Sequence, residues 1–332
     1  MSTSPHDAIF KSAFSQPDVA RSELNLLLPK EVATHLDFAT LEVRPGSFVD
    51  EDLRNAHTDL LYAVRTTTGR DAFVYVLFEH QSSFDATMPF RLLRYVVRVW
   101  DTWLRDHPAT STLPLVLPVL LHHGATRWRA EPELASMLDG DPELLDATRS
   151  FVPHFRFMLD DLEALSVDAL ASRVLSALAR LVQLGLWSSR SLGRLKSAAP
   201  FMRQIAATLT RDEPTRSLLA QLYLYLLRAA QPDVDVQEVR TILLDIAGPQ
   251  GREDVMNAAE QLIEQGRAEG LAKALVGLRA AVTTVLSART VPMSELARAR
   301  IAACTDDALL TQWLARAVRG ASEADVFASD NT

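Results

Sequence analysis

The feature that most constrains the fold is a pair of strand-like segments in the N-terminal half, residues 57–64 and 72–78. Both are rich in β-branched, aromatic and aliphatic residues, which favours buried strands over short helices. The sequence Thr66-Thr67-Thr68-Gly69 lies between them and is typical of a turn. The two segments therefore predict a β-hairpin around which the other elements are organised.

Polar residues mark one end of this hairpin. The second segment ends in Glu79-His80-Gln81-Ser82-Ser83, and Asp59 lies near the start of the first. If the segments pair as a hairpin, Asp59 and Glu79 meet at the same edge of the sheet. Side chains alternate along a strand, so Gln81 faces the same way as Glu79 and His80 faces the other way. Two converging carboxylates form an oxygen-rich site that suits Mg²⁺ or Mn²⁺. The cation is either catalytic or structural.

Residues 87–107 predict the clearest helix of the chain. At about 100° per residue, Arg91, Arg94 and Arg98 fall on one stripe. The opposite side, expected to pack on the sheet, carries Leu93, Val96, Val97, Trp100, Trp103 and Leu104. The arginine stripe is either a solvated surface or a track for the phosphates of a nucleic acid. Because the helix follows Glu79 in the chain, the stripe is expected to begin near the proposed metal site.

A further strand is predicted at residues 115–121, which are continuously apolar, as in interior strands covered on both faces. The segment ends in His122-His123-Gly124. Adjacent histidines on a strand point in opposite directions and so make a poor chelating pair. We interpret them as a strand end and turn, with contact between one histidine and substrate as the alternative.

Several phrases resemble one nuclease family, in the family's order, over roughly the first 130 residues. They are His6-Asp7-Ala8-Ile9-Phe10-Lys11, Gly46-Ser47-Phe48-Val49-Asp50-Glu51-Asp52-Leu53-Arg54, Thr58-Asp59-Leu60-Leu61-Tyr62, Phe78-Glu79-His80-Gln81-Ser82-Ser83, Met88-Pro89-Phe90-Arg91-Leu92-Leu93-Arg94-Tyr95 and Leu113-Pro114-Leu115-Val116-Leu117-Pro118-Val119. The set resembles the Rpn family of recombination-promoting nucleases, also described as YhgA-like transposases. This family looks like a branch of the PD-(D/E)XK superfamily in which Gln81 stands in place of the usual lysine.

The resemblance implies an α/β fold with an αβββαβ core, a mixed sheet flanked by helices, and an all-helical C-terminal region. It implies a DNA endonuclease that cleaves double-stranded DNA with little sequence specificity, in recombination or phage defence. Asp59, Glu79 and the carbonyl of His80 would hold Mg²⁺, with Mn²⁺ or Ca²⁺ as other candidates, and Gln81 would position water. Binding of DNA is expected along Arg91, Arg94 and Arg98.

Lys11 is the candidate for the positive charge that Gln81 lacks. Only Lys11 and Lys30 occur as lysines in the first 150 residues, and Lys11 belongs to the first predicted helix. Asp7 lies four residues before Lys11, on the same helical face. The pair is therefore either a surface ion pair or part of the site, with Asp7 as an added acidic ligand.

Composition limits the other possibilities. The single cysteine, Cys304, excludes an intramolecular disulfide and a cysteine-based zinc site, and suits a reducing cytoplasm. No apolar signal core or bilayer-spanning segment is evident, so we expect a cytoplasmic protein without a membrane partner. The net charge is −8, and residues 1–150 carry 14 basic against 21 acidic residues. Such a protein does not simply coat nucleic acid; DNA would need a local basic patch.

Three regions are predicted: a PD-(D/E)XK-like nuclease domain at 1–150, a helical extension at 151–248 and a C-terminal helical region at 249–332. Within the last, residues 252–287 predict a long helix. Gly266 and Gly270 lie four apart in it and indicate close approach of another helix, which makes this a candidate for homo-oligomer formation. The alternative function is a decayed nuclease fold that acts as a DNA-binding or assembly protein, which the missing lysine and acidic balance favour.

Overall fold

The computed structural model describes residues 5–44, 58–79, 85–229 and 234–328. Two compact units are present, residues 1–259 and residues 260–332. The first contains a five-stranded mixed sheet with helices, so the predicted α/β class is confirmed. The predicted domain boundaries at residues 150 and 248 stay predictions.

The described residues form both helices and strands. In chain order they are α1 (Pro5–Phe14), α2 (Pro17–Leu27), α3 (Lys30–Ala33), β1 (Leu36–Arg44), β2 (Thr58–Thr66), β3 (Asp71–Glu79), α4 (Met88–Asp106), β4 (Leu115–His122), α5 (Pro142–Thr148), β5 (Met158–Asp161), α6 (Val167–Ala171), α7 (Ala177–Ser188), α8 (Leu192–Ala206), α9 (Glu213–Ala229), α10 (Val236–Ala288), α11 (Glu295–Ala303), α12 (Asp307–Arg319) and α13 (Glu323–Val326).

The predicted hairpin is confirmed. The sheet order is β1-β2-β3-β4-β5, in which β1, β2 and β3 are antiparallel neighbours and β3, β4 and β5 are parallel neighbours. Gly69 supplies the turn of the β2–β3 hairpin with a φ of 83°, which favours glycine. Strand β1 begins at Leu36, and its register with β2 shifts between Asp37 and Glu42.

Helix α4 connects the parallel strands β3 and β4 and covers one face of the sheet. Its buried residues pack on alternate positions of the strands, including Leu61, Phe73, Tyr75 and Leu120. The rings of Tyr75 and Tyr95 stack with centroids 4.9 Å apart. The predicted bounds of this helix are confirmed, but its predicted buried side is rotated. The buried residues are Met88, Pro89, Leu92, Tyr95, Val96 and Val99, and Val97 and Leu104 are exposed.

Helices α1, α2, α7 and α9 form the side of the first unit that lies opposite α4. Tyr62 on β2 donates its hydroxyl to the carbonyl of Phe14 at 2.7 Å, which ties the end of α1 to the sheet. Helices α7 and α9 approach closely at Gly185, where an added Cβ would lie 2.6 Å from Leu222 Cδ1. The side chain of Leu222 would have to shift to admit a larger residue at position 185.

Helix α10 departs from helical geometry at Gly248 (φ 63°, ψ −172°), which Pro249 follows. It begins in the first unit and continues into the second. By length and composition alone it is also the single described helix that could cross a membrane, which is weak evidence. An added Cβ at Gly266 or Gly270 would meet no atom within 4 Å, so the described chain makes no helix contact there. In the second unit, Trp313 is the buried centre of a small helical core.

Candidate active site

At one end of the sheet β2 begins, and β1, β3, β4 and β5 end. In backbone register Asp59 pairs with Leu77, and Glu79 lies two residues further along β3. Diagonal positions of this kind have Cα atoms about 7–8 Å apart on the same face of the sheet. For Asp59 and Glu79 the structure describes the position in the strand and not the side chain. His80 and Gln81, like the acidic sequence at residues 50–52, lie outside the described residues.

The register continues across the parallel strands. Glu79 pairs with His122 on β4, and His122 pairs with Asp161 on β5. The sheet edge therefore brings together positions 59, 79, 122 and 161, all on the side that α4 covers. Among the residues the structure describes, no group of three histidine, cysteine or acidic side chains is arranged to hold a metal ion.

His122 is buried at this edge, with 3% of its surface exposed. Its Nε2 lies 2.9 Å from the carbonyl oxygen of Thr126, and its ring packs edge-on against Trp128 with centroids 5.2 Å apart. Nδ1 is buried and has no hydrogen-bond partner within the described ranges. The sequence interpretation treated this residue mainly as a strand end, and its pairing with Glu79 was not foreseen.

Helix α1 reaches the same edge from the other face. His6 lies near His123, with ring centroids 5.7 Å apart, and its Nδ1 is 2.9 Å from the hydroxyl of Tyr225. His123 is fully buried, and burial, followed by the charge of Arg190, holds its pKa well below the ordinary value.

Lys11 is exposed on the last turn of α1, and Asp7 is partly buried on the first turn. Since the N-terminus of α1 contacts residues of the strand-end edge and Phe14 contacts Tyr62 further along β2, Asp7 is nearer the edge than Lys11.

The three arginines of α4 have different surroundings. Arg91 Nη1 forms an ion pair with Asp85 Oδ2 at 2.6 Å, and 14% of its side chain is exposed. Arg94 and Arg98 are exposed. Arg91 borders the buried side of α4, whereas Arg94 and Arg98 lie further round toward the solvent, which explains why only Arg91 is largely covered. Arg94 and Arg98 can be reached from solvent along α4.

A second group of buried charges lies on the opposite face of the sheet. Arg173 donates two hydrogen bonds to Asp160, at 2.5 and 2.8 Å, and a third to Gln183 at 2.8 Å. Gln183 Nε2 in turn lies 2.7 and 2.8 Å from the two oxygens of Glu23. Burial, followed by the negative charge of Asp160, raises the pKa of Glu23 well above its ordinary value. The group holds α2, β5 and α7 together.

Sequence reasoning missed this buried group because its members are far apart in the chain. One signal was available: Glu23 lies in the apolar stripe of α2, beside Val19, Ala20 and Leu24. A carboxylate in such a position is buried with a partner or is neutral.

Comparisons with known proteins identify relatives over most of the chain. The profile of the family described as "Putative transposase, YhgA-like" matches residues 4–216. The recombination-promoting nuclease RpnD of Escherichia coli O157:H7 is 30% identical over 262 residues, covering 78% of this chain and 94% of that protein. The recombination-promoting nuclease RpnA of Escherichia coli K12 is 29% identical over 269 residues, covering 80% and 85%.

The inactive recombination-promoting nuclease-like protein RpnE of Escherichia coli K12 is 30% identical over 272 residues, covering 81% of this chain and 84% of that protein. No solved structure matches the chain.

Proposed function

We propose that this chain, which belongs to the family of YhgA-like transposases, is a metal-dependent endonuclease that hydrolyses double-stranded DNA with low sequence specificity. Two relatives named recombination-promoting nucleases support nuclease action and a role in recombination. A role in phage defence is part of the same proposal. The observation that carries it is the β2–β3 register, in which Asp59 and Glu79 occupy diagonal positions at one sheet edge.

We assign the sheet and its helices to the PD-(D/E)XK nuclease fold. The order of α1, the antiparallel β1–β3, α4 and the parallel β4 supports this assignment, because it corresponds to the αβββαβ core. The presence of acidic residues at the ends of the central hairpin strands supports it as well.

The residues present fit a hard divalent cation. Asp59, Glu79 and the carbonyl of His80 are oxygen donors, which suit Mg²⁺, Mn²⁺ or Ca²⁺. When bound, such a cation supplies Lewis-acid polarisation of the phosphate. In this proposal Gln81 positions the attacking water through its amide, because it carries neither charge nor basicity. Lys11 supplies positive charge to the developing transition state.

The DNA is proposed to lie along α4 and to contact Arg94 and Arg98. The exposure of Arg94 and Arg98 to solvent supports this path of the DNA along α4. Arg91 is already paired with Asp85, so its contribution requires exchange of that partner for a phosphate. Two exposed arginines form only a small basic surface on an acidic protein, which predicts modest, salt-sensitive affinity.

We further propose a cytoplasmic protein that forms a homo-oligomer through residues 252–287. Homo-oligomer formation is supported by exposed apolar side chains of α10, namely Ile263, Leu271 and Val276. It is also supported by Gly266 and Gly270, where an added Cβ would meet no atom within 4 Å.

A second candidate is a catalytically inactive member that binds DNA or assembles with other proteins. The specific observation in its favour is that RpnE, named inactive, is as similar to this chain as RpnD is.

Nicking of supercoiled plasmid distinguishes the two candidates. The purified protein is incubated with Mg²⁺, Mn²⁺ or Ca²⁺, and with EDTA as the control. We expect metal-dependent nicking that Asp59→Ala and Glu79→Ala each abolish without unfolding the protein. Asp71→Ala is the matched control, since Asp71 is an exposed carboxylate at the other end of the same hairpin. Nicking by folded Asp59→Ala would refute the site, and a wild-type protein that binds but never cleaves DNA would favour the inactive candidate.

A further inference from the structure

We infer that His122 supplies a nitrogen ligand, through Nδ1, to the divalent cation of the proposed active site. This inference rests on the proposed function and adds a ligand to its site. It begins from the position of His122, the last residue of β4, directly in register with Glu79 on β3. Neighbouring strands lie about 4.8 Å apart, so the two Cα positions are among the closest at this edge.

The hydrogen bond at Nε2 fixes the form of the ring. The carbonyl oxygen of Thr126, 2.9 Å away, can only accept, so Nε2 carries a hydrogen and donates it. In the neutral ring Nδ1 then presents a lone pair, directed away from that carbonyl. Histidines that bind metals normally donate their other ring N–H to a carbonyl or carboxylate in this way, which sets the tautomer and the ring orientation.

Nδ1 is buried and without a hydrogen-bond partner in the described part of the chain. Most buried polar atoms in proteins are paired, so this one requires an explanation. The β5 side does not provide a donor to this lone pair, because the carboxylate of Asp161 only accepts hydrogen bonds, here from the backbone amides of Trp128 (2.9 Å) and Glu163 (3.1 Å). The remaining in-register neighbour is Glu79, on the strand that carries the proposed site.

A nitrogen ligand changes which cation the site prefers. Oxygen ligands alone suit Mg²⁺ and Ca²⁺, and an imidazole favours transition metals, so the site should select Mn²⁺ over Mg²⁺. This deepens the proposal in a testable direction, because the metal preference becomes a property of His122.

Two substitutions separate the roles of the ring nitrogens. His122→Gln places an amide N–H near the position of Nε2 and so keeps the donor to Thr126 while removing the ligand. His122→Asn places an amide oxygen near the position of Nδ1 and so replaces the nitrogen ligand with oxygen. His107→Gln, at an exposed histidine at the end of α4, is the matched control.

Mn²⁺ binding to the full chain without DNA is measured by electron paramagnetic resonance, and nitrogen coupling by electron spin-echo modulation. We expect wild-type protein and His107→Gln to show coupling to nitrogen. His122→Gln should lose the coupling and bind Mn²⁺ about 10–100-fold more weakly. His122→Asn should lose the coupling and much of the preference for Mn²⁺ over Mg²⁺.

Labelling the wild-type protein with ¹⁵N-histidine tests the same contact without any substitution, so a variant that does not fold leaves the inference testable. Bound Mn²⁺ without histidine coupling, or coupling that persists in His122→Gln, would overturn the inference and leave the proposed nuclease intact. Absence of any Mn²⁺ or Mg²⁺ binding by the wild-type protein would overturn the proposed metal-dependent function itself.

Discussion

Replacing the buried Glu23 with glutamine should make the protein more stable than the wild type, by an amount that increases as the pH rises. Glu23 is 2% exposed, contacts Gln183 through both carboxylate oxygens, and lies beside the Asp160–Arg173 ion pair. Burial, followed by the charge of Asp160, raises the pKa of Glu23 well above its ordinary value, so we expect Glu23 to hold a proton at pH values at which an exposed glutamate is ionised. Glutamine at this position keeps an acceptor for Gln183 and a donor for Asp160 without a titratable group.

The size of the effect follows from proton linkage. Because the pKa is raised on folding, the contribution of Glu23 is fully present below its ordinary pKa of 4.5 and is lost as the pH rises through the folded value. Between the two pKa values the folded state binds one more proton than the unfolded state. The free energy of unfolding then falls by up to about 1.4 kcal/mol per pH unit. Glu23→Gln lacks this loss, so its advantage over the wild type should grow across the same interval.

Urea unfolding of both proteins, from about pH 5 to about pH 8, measures the difference. Glu163→Gln is the matched control, because Glu163 is a buried carboxylate in an ordinary ion pair with Arg194 at 2.9 Å. It should lower the stability at neutral pH, since it leaves Arg194 without its charged partner. A difference between Glu23→Gln and the wild type that does not change with pH would refute the assignment of a proton to Glu23.

The remaining predictions concern the proposed site and the packing around it. Lys11→Met should lower the plasmid cleavage rate about 10²-fold and leave the affinity for DNA nearly unchanged. A normal rate would mean that the cation and Gln81 suffice without Lys11. The double substitution Arg94→Ala and Arg98→Ala should reduce the slope of log affinity for DNA against log salt concentration by up to about 2. An unchanged slope in filter-binding titrations would mean that both side chains are solvated and do not contact phosphates. Gly185→Ala should cost about 1–3 kcal/mol in urea unfolding, because the new Cβ would overlap Leu222, and wild-type stability would contradict the close approach of α7 and α9.

Local patterns predicted the elements near the site, and long-range contacts decided the rest. The β2–β3 hairpin and α4 were predicted because their apolar periodicity and the turn at Gly69 act over few residues. The prediction misplaced the buried side of α4, because long-range packing decides which apolar residues of the helix face the sheet: Leu92 and Tyr95 are buried, and Val97 and Leu104 are exposed.

Within the candidate site, sequence reasoning could align Asp59 with Glu79 because both belong to one hairpin. His122 was not linked to them, because β4 is separated from β3 by the whole of α4, and parallel register cannot be read from a turn. The buried group around Glu23 joins residues that lie as much as 160 positions apart in the chain. The sequence indicated it only through the position of Glu23 within an apolar stripe.

The contact between His6 and Tyr225 also bears on how the chain is made. Helix α1 packs against β2 and α9, and its histidine meets a hydroxyl 219 residues later in the sequence. At about 5–20 residues per second, the ribosome delivers Tyr225 roughly 10–45 s after His6. During this interval the apolar residues Phe10 and Phe14 lack part of their cover. A nascent chain that stalls before α9 therefore exposes α1 to chaperones and proteases, so α1 is fully packed only after helices that follow it in the chain have been synthesised.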